Sequence, residues 1–429
     1  PFLRVNRFLA SYRQEKLVPA QVRFWLQQSA ALDRGARPHE IETLAGEDLE
    51  IIAPRAGTRR ALKQILDECS GKLLADAMRD EGTAALIRER ARVPDNYNTM
   101  KRVIGLYPFT ALFVFAGVER LHEAIRETFN TPVKELPVRG NLRRYAPPGN
   151  NRASISVEEI LQASSDNPLR IPLPDEKQQR YLLQRFAPVW LIDTVDNNDR
   201  FGPPYWDERD RIAIDTGRPF VYRYLSHARF HDAVLLQLNY IIWFPARPAS
   251  GPFDILSGHL DGLTWRVTLD QEGKPLLYDV MHNCGCYHMF FPAGQLQPRQ
   301  PEGQLEEPLL VPARAPVTGI NERIVIRVAP ATHYIENVGA AGPADIRQRY
   351  DMRDYNELRS LPRTNASARS LFGPDGIIAG TERKERYLLW PMGVLQPGAM
   401  RQQGHHATAF IGRRHFDDPR LLEEYFSRE

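Results

Sequence analysis

The sequence has few of the features that mark membrane-spanning or disulfide-stabilised proteins. Only 3 of its 429 residues are cysteine, too few for a disulfide framework. No apolar run reaches the roughly 18–20 residues that cross a bilayer, so no transmembrane segment is expected. The P-loop, the Rossmann glycine fingerprint, the Gly-x-Ser-x-Gly elbow and the His-Glu-x-x-His motif are also missing. The common nucleotide-binding and hydrolase classes therefore cannot be assigned by motif.

The chain also lacks an excess of charge of one sign. Its 56 basic and 53 acidic residues leave a formal net charge of +3. Such a balance predicts no general polyanion-binding surface, so no nucleic-acid partner is expected. The 34 prolines among 429 residues exceed the usual share of roughly 5%. This richness predicts many loops and argues against coiled coils and helical repeats.

The longest apolar stretch, residues 104–118, is interrupted by Pro108. We expect it to form a buried helix, and a peripheral membrane or envelope contact is the alternative. The chain opens at Pro1 rather than methionine, and its second half is proline-rich. These two features favour a periplasmic or otherwise extracytoplasmic location, with the cytoplasm as the alternative.

Periodicity predicts an α+β protein in three parts. Apolar residues recur at helical spacing through residues 1–130, which we expect to form a helical domain. Residues 131–187 begin with a segment rich in proline, glycine and arginine and continue with short helices, which predicts a linker. Residues 188–429 show strand-like patterns and long loops, typical of a β-rich domain built as an antiparallel sandwich or a barrel. Strands are expected at residues 387–390 and 407–411 as well.

A β-hairpin is the clearest local prediction. Residues 263–269 alternate apolar and polar side chains, and a glycine-containing turn at residues 271–274 leads into the return strand. If Asp270 faces Pro275, Arg266 lies opposite Asp279 and the apolar side chains share one face. A slip of one residue would destroy this segregation.

Beyond this hairpin the sequence brings together its most reactive side chains. His282, Cys284, Cys286 and His288 occupy every second position of residues 278–291, so one continuous strand would place all four in a row. The same register puts Asp261 opposite Cys284 and His259 opposite Cys286, with Cβ atoms about 4.5–5.5 Å apart. The sequence thus predicts six chemically capable groups on one face, joined by an ion, a disulfide or a hydrogen-bond network.

A metal site is the first interpretation of this cluster. Imidazole nitrogen and thiolate sulfur are the ligands that zinc and copper prefer. Two or three ligands would come from His282, Cys284, Cys286 and His288. Others would come from His259, Asp261 or the 404–406 segment. The expected function is an extracytoplasmic metal-dependent enzyme, hydrolytic or oxidative, that contains zinc or copper.

A cysteine nucleophile is the second interpretation. Cys286 would attack, with His259 or His288 lowering its pKa and Asp261 nearby. Residues 283–289 resemble the nucleophile motif of the L,D-transpeptidases, with identity at Gly285, Cys286 and Met289. The family's other motif residues are replaced here, and seven residues support no family assignment. The resemblance implies an enzyme that acts on peptide or cell-envelope amides.

Two further interpretations stay open. Cys284 and Cys286 could be a redox pair if a bulge at Gly285 brings the thiols together, since alternate positions of a straight strand exceed bridging distance. The histidines and cysteines could instead be structural, in a non-enzymatic envelope binding protein. The third cysteine, Cys69, is expected to be a buried small apolar residue of a helix.

Overall fold

A computed structural model describes residues 2–52, 54, 56–149, 155–300, 306–319, 321–342, 348–364 and 366–428. Its helices lie mainly in the first 130 residues and its strands mainly after them, which confirms the predicted α+β class. The helices are α1 (Arg7–Ala10), α2 (Pro19–Thr43), α3 (Gly46–Ile52), α4 (Arg59–Arg79), α5 (Glu81–Glu89), α6 (Thr99–Ile104), α7 (Tyr107–Asn130), α8 (Val157–Ser164), α9 (Glu176–Arg185), α10 (Arg386–Leu389) and α11 (Leu421–Tyr425).

The strands follow from the end of the helical region. They are β1 (Asn141–Ala146), β2 (Val189–Thr194), β3 (Pro204–Trp206), β4 (Ile212–Ile214), β5 (Phe220–Phe230), β6 (Ala233–Arg247), β7 (Gly258–Leu269), β8 (Pro275–His282), β9 (Met289–Pro292), β10 (Leu296–Pro298), β11 (Arg323–Val328), β12 (Ile335–Ala341), β13 (Gln348–Arg349), β14 (Asp351–Asp354), β15 (Leu361–Arg363), β16 (Ala366–Arg369) and β17 (Phe426–Arg428).

Two sheets organise the described part of the chain. One has the strand order β12-β11-β2-β1-β13 and the other β14-β5-β6-β7-β8-β9. Pairing is mostly antiparallel, but β2–β11, β1–β13 and β5–β14 are parallel. A large apolar core contains Trp190 of β2 and Ile326 of β11 together with Leu238 of β6 and Trp265 of β7. The inner faces of both sheets therefore share one core.

The six-stranded sheet is buried on its outer face as well. A second apolar cluster there joins Trp243 and Leu260 to Leu358, Ile378 and Met400, which come from the C-terminal third of the chain. Burial on both sides explains why β6 is almost continuously apolar, as a central strand should be. It also means that polar side chains on this sheet need partners.

The helical region and the segment that follows it both contact the sheets. The segment predicted to be a linker contributes β1 to the five-stranded sheet, where it pairs with β2, so it is not a free connection. Ile125 of α7 belongs to the large core, so the helical region packs on the sheets. Whether residues 1–130, 131–187 and 188–429 are separate folding units stays a prediction.

Three local expectations were wrong. Residues 387–390 lie in α10 and the 3₁₀ turn after it, and residues 407–411 contribute only an isolated bridge between Ala407 and His415. Cys69 is exposed on α4. Residues 104–118 are helical, but Ile104, Phe109 and Phe113 are 67%, 68% and 82% exposed, so this stretch is not a buried helix.

The predicted hairpin is present in the predicted register. Leu263 pairs with His282, Arg266 with Asp279 and Thr268 with Leu277. The register shifts by one residue at the turn, where Leu269 rather than Asp270 faces Pro275. The Asp270 carboxylate accepts hydrogen bonds there from the backbone N–H groups of Glu272 and Lys274, at 3.0 and 2.9 Å.

Candidate functional site

The expected row of histidines and cysteines does not form, because the strand ends at His282. The His282 N–H donates to the Cys286 carbonyl at 3.0 Å and the Gly285 N–H donates to the His282 carbonyl at 2.7 Å. The chain turns back, and β9 pairs antiparallel with β8. We call residues 283–288, between these strands, the thiol loop. The prediction of one straight strand through residues 278–291 was therefore wrong.

Gly285 makes the reversal possible. Its φ is +93°, a backbone conformation that residues with a Cβ rarely adopt. A Cβ at this position would also lie closer than 3.0 Å to the Ala407 carbonyl oxygen. The thiol loop thus requires glycine for its own geometry and for the approach of the C-terminal segment.

The reversal places His282 and His288 on opposite faces of the sheet. His288 Nε2 lies 2.7 Å from Asp279 Oδ2, and Asp279 also pairs with Arg266 at 2.9 and 2.5 Å. Burial lowers the pKa of His288 to about 4 against the opposing effect of Asp279. His288 is a neutral part of this buried ion-pair cluster and cannot join His282 around one ion.

His259 is likewise separated from the cysteines. Leu260 has a φ of +52°, which breaks the side-chain alternation between His259 and Asp261. His259 lines a surface cleft of about 790 Å³ beside Trp206, Arg211 and Phe372. The pairs His259–Cys286 and Asp261–Cys284 expected from the register do not form, because β7 and β8 no longer pair beyond His282.

Asp261 instead joins two imidazoles on the inner face of the sheet. Its Oδ2 lies 2.9 Å from His333 Nδ1 and its Oδ1 lies 3.3 Å from His282 Nδ1. His333 Nε2 lies 3.5 Å from Asp199 Oδ1, which extends the row to Asp199–His333–Asp261–His282. All four side chains are buried. The hydrogen-bond network that the sequence allowed is therefore present, with different members.

Burial and neighbouring charge set the protonation of this network. Burial alone would raise the pKa of Asp261, but the charges and hydrogen bonds of His282 and His333 hold it well below its ordinary value. Burial would lower the pKa of His333, yet the carboxylates of Asp199 and Asp261 raise it above the usual value. The pKa of His282 is lowered by burial in spite of Asp261. His282 is thus the neutral imidazole, and its Nε2 has no hydrogen-bond partner.

Two tyrosines cover the His282 ring. Tyr287 and Tyr334 contact it edge-on, with ring centroids 5.0 and 5.7 Å away, and they contact each other at 4.7 Å. The Arg247 guanidinium lies 4.9 Å from the Tyr334 ring centroid and donates to the Tyr334 hydroxyl at 3.2 Å. Both tyrosines are partly exposed, so this side of the site reaches solvent.

Backbone strain concentrates at the same place. Leu260, Tyr287, Ala331 and His333 are non-glycine residues with φ between +52° and +61°. Each such conformation costs on the order of 1–3 kcal/mol and persists only where the surrounding structure imposes it. Strain of this kind is common at functional sites, which supports the choice of this region as the candidate site.

The two thiols meet inside the thiol loop. Both cysteines are free, with Cys284 buried and Cys286 partly exposed. The Cys286 N–H donates to Cys284 Sγ at 3.4 Å. A side-chain hydrogen bond to Cys284, together with burial, raises the pKa of Cys286 well above its ordinary value. The bend at Gly285 therefore brings together two free thiols that a straight strand would keep apart.

Arg401 holds the thiol loop from behind. Its Nε donates to the Cys284 carbonyl at 3.0 Å and its backbone N–H to the Asn283 carbonyl at 2.9 Å. The side chain is 1% exposed and also donates to the carbonyls of Leu395 and Gln396. A buried positive charge thus lies beside the thiols.

Glu385 is a buried carboxyl group whose charge acts on the thiol loop. It is 6% exposed, and burial raises its pKa to about 7 although Arg383, Arg247 and Arg401 oppose the change. Its charge in turn contributes to the raised pKa of Cys286. Gly398 makes room for it, since a Cβ there would lie closer than 3.0 Å to Glu385 Oε1.

The remaining expected ligands lie at the edge of the site. Of the adjacent His405 and His406, His406 is buried and approaches the backbone of Asn283 and Arg401, and burial lowers its pKa to about 3. Across the described ranges, no group of three or more His, Cys, Asp or Glu side chains is arranged to hold a metal ion. The zinc or copper expectation stays a prediction, and His282, Cys284 and Cys286 are the expected ligands still grouped around the thiol loop.

Sequence reasoning missed several residues of the site. Asp199, in the 3₁₀ turn Asn197–Asp199, was not among the predicted site residues, and His333, Arg247, Glu385 and Arg401 gave no local signal. Each is isolated in its own stretch and reaches the site through tertiary packing. Comparison with protein-family models, with curated proteins and with solved structures gave no match, so the candidate function depends on this geometry.

Proposed function

We propose that this protein is a thiol–disulfide oxidoreductase whose reactive pair is Cys284 and Cys286. The observation that carries the proposal is the approach of the two free cysteines across the left-handed Gly285, where the Cys286 N–H donates to Cys284 Sγ and the two side chains share a hydrogen bond. A disulfide closed over a single intervening residue is strained, and strained disulfides have high reduction potentials and exchange readily. Such a pair is suited to exchanging disulfides with other proteins or small thiols.

Cys286 is the attacking sulfur in this proposal, because it is partly exposed and Cys284 is buried. In the reductive direction the Cys286 thiolate attacks a substrate disulfide, forms a mixed disulfide and releases one substrate thiolate. The Cys284 thiolate then attacks Cys286 Sγ and releases the second substrate thiolate. The released sulfurs take up the two protons that the cysteines lost, so two cysteine thiols and one disulfide give one Cys284–Cys286 disulfide and two substrate thiols.

Glu385 and Arg401 assist this exchange. A thiol with a raised pKa needs a base before it can attack, and a carboxyl group with a pKa of about 7 is partly ionised at neutral pH. Glu385 would accept the proton, and the Arg401 guanidinium would favour the thiolate. The Asp261-oriented His282 positions the thiol loop through its backbone bond to the Cys286 carbonyl.

Turnover of a small fluorogenic disulfide by the full chain tests the proposal, with glutathione added as the reductant that returns the Cys284–Cys286 disulfide to two thiols after each cycle. Both Cys286→Ala and Cys284→Ala should abolish catalytic turnover, while Cys69→Ser, which removes the exposed thiol of α4, should leave it unchanged. Turnover that survives the loss of Cys284 would overturn the dithiol mechanism.

A hydrolase with Cys286 as nucleophile is the second candidate. The Asp261–His282 pair favours it, because a carboxylate on Nδ1 and a free Nε2 are what a general base needs. Peptide or cell-envelope amides are the proposed substrate class. Cys284→Ala separates the two candidates, since hydrolysis needs Cys286 and not Cys284. Both proposals include a location outside the cytoplasm, where disulfides persist.

A further inference from the structure

An apolar surface lies at the corner between α6 and α7. Its side chains are each at least 60% exposed, and they are Val103, Ile104, Leu106, Phe109, Leu112 and Phe113. Soluble proteins rarely expose so many large apolar side chains together without a binding partner. We call this surface, with the α10 residues described next, the apolar corner.

The start of α10 extends the same surface. Tyr387 and Leu388 are 65% and 64% exposed, and Trp390 follows at 37%. The two segments are packed together, because Arg102 donates to the Met392 carbonyl at 2.8 Å and Gly105 lies directly against Pro391. Leucine and phenylalanine at the tip with tyrosine and tryptophan beside them are typical of proteins that lie in a bilayer interface.

Charge around the apolar corner has one sign. Residues 98–118 contain Lys101 and Arg102 and no acidic residue, and residues 384–398 contain Lys384, Arg386 and one carboxylate, Glu385. Glu385 is buried and faces the thiol loop. The charged side chains of these segments that are at least partly exposed are therefore positive, which complements an anionic lipid surface.

The tip of the corner has an unusual residue. Leu106 has a φ of +48° and is 63% exposed. Glycine or asparagine would adopt this conformation at lower cost and with less apolar surface in water. A strained, exposed leucine at the corner gains nothing in the isolated protein, whereas a lipid interface would stabilise its burial.

From these observations we infer that the apolar corner docks this protein on an anionic phospholipid bilayer. The described residues include no helix long and apolar enough to cross a membrane, so the contact is with the surface. Docking would place α10 at the lipid interface and the thiol site directly behind it, since α10 begins after Glu385. This inference does not depend on the thiol chemistry, and either can fail alone.

Co-sedimentation with vesicles tests the inference. We expect the full chain to bind phosphatidylcholine vesicles that contain phosphatidylglycerol, and to be released by salt. The double variant Leu112→Asp/Phe113→Asp should lower the partition coefficient at least about tenfold, because two large side chains lose their burial in lipid. The matched control is Ile51→Asp/Ile52→Asp, two adjacent exposed isoleucines of α3, which should bind like the unmodified chain.

A charge-reversal variant tests the contribution of the basic residues to vesicle binding separately from that of the apolar residues. Lys101→Glu/Lys384→Glu should weaken binding to the anionic vesicles while circular dichroism stays unchanged. A chain that remains in the supernatant at every lipid concentration would overturn the inference, as would equal losses for the corner and α3 variants. Analytical ultracentrifugation without lipid tests whether a second copy of the chain covers the apolar corner instead. A dimer that Leu112→Asp/Phe113→Asp dissociates would assign the apolar corner to that second copy.

Discussion

The Ala407 carbonyl lies where a Cβ on Gly285 would have to be. This contact joins the thiol loop to a segment more than a hundred residues later in the chain, and together with the φ of +93° it requires glycine at position 285. The distance between the two thiols is set by this turn. The geometry of the candidate site is therefore a property of the whole β region and not of the local sequence.

Gly285→Ala tests this dependence. The backbone strain and the clash with Ala407 should together lower the free energy of unfolding by about 2–4 kcal/mol in chemical denaturation. Gly380→Ala is the matched control, since Gly380 has a φ of +82° and open space around it. The control substitution should lower the free energy of unfolding only by the cost of the backbone strain, about 1 kcal/mol. Equal losses would show that the Ala407 contact does not constrain the thiol loop.

The reactivity of Cys286 should depend on its bond with Cys284. That hydrogen bond is the largest cause of the raised pKa of Cys286, so the thiol should react slowly with iodoacetamide at neutral pH and faster as the pH rises. Cys284→Ala removes the bond and should accelerate alkylation at pH 7, measured by mass spectrometry in a Cys69→Ser background. Cys284→Ser retains a polar neighbour and should accelerate it less. A rate that is the same in all three chains would contradict the thiol–thiol contact.

Glu385 should make stability depend on pH. Its pKa is raised from 4.5 to about 7 in the folded protein, so its contribution is complete below about pH 4.5 and is lost as the pH rises through 7. The loss amounts to about 3 kcal/mol. Glu385→Gln should remove this decline and raise the free energy of unfolding above pH 7. Glu424 provides a more exposed control, whose pKa is raised to about 7 by partial desolvation and by the neighbouring carboxylates of Asp418 and Glu306.

Glu424→Gln should change the pH dependence of stability in the same direction and leave disulfide turnover unchanged, because Glu424 lies in α11 and not at the thiol loop. Glu385→Gln should instead slow turnover and alter its pH profile between pH 6 and 8. If the two variants have the same turnover as the unmodified chain, Glu385 is not the proton acceptor.

Replacing either buried carboxylate of the hairpin should lower the free energy of unfolding by a similar amount, but only one replacement should affect the histidines of the candidate site. Asp261 and Asp279 are 1% and 0% exposed and each bonds to a histidine. Asp261→Asn and Asp279→Asn should each cost about 3–5 kcal/mol, since each leaves buried partners uncompensated. Only Asp261→Asn should shift the titration of the His282 and His333 imidazoles, followed by NMR. A shift after Asp279→Asn as well would mean that the two faces of the sheet are coupled.

The hairpin could be predicted from the sequence and the thiol loop could not, for a physical reason. The alternation from Leu263 to Leu269 sets the register, because any slip would bury Arg266 in the apolar core. No comparable pattern marks the end of β8. The turn at Gly285 depends on the close approach of the Ala407 carbonyl. Asp261 bonds to His333, which lies between β11 and β12. Such long-range partners leave no trace in local spacing, so the predicted arrangement of the six candidate residues on one face was wrong.

Cys284 and Cys286 should form a reversible disulfide if the protein is a thiol–disulfide oxidoreductase. The direct measurement is to equilibrate the Cys69→Ser chain in a series of glutathione buffers, trap free thiols by alkylation and identify the products by mass spectrometry. We expect one cooperative transition from a doubly alkylated chain to a Cys284–Cys286 disulfide. Its midpoint should lie well above the roughly −300 mV of structural disulfides. A chain that stays doubly alkylated throughout, or that gives only glutathione adducts, would contradict this expectation.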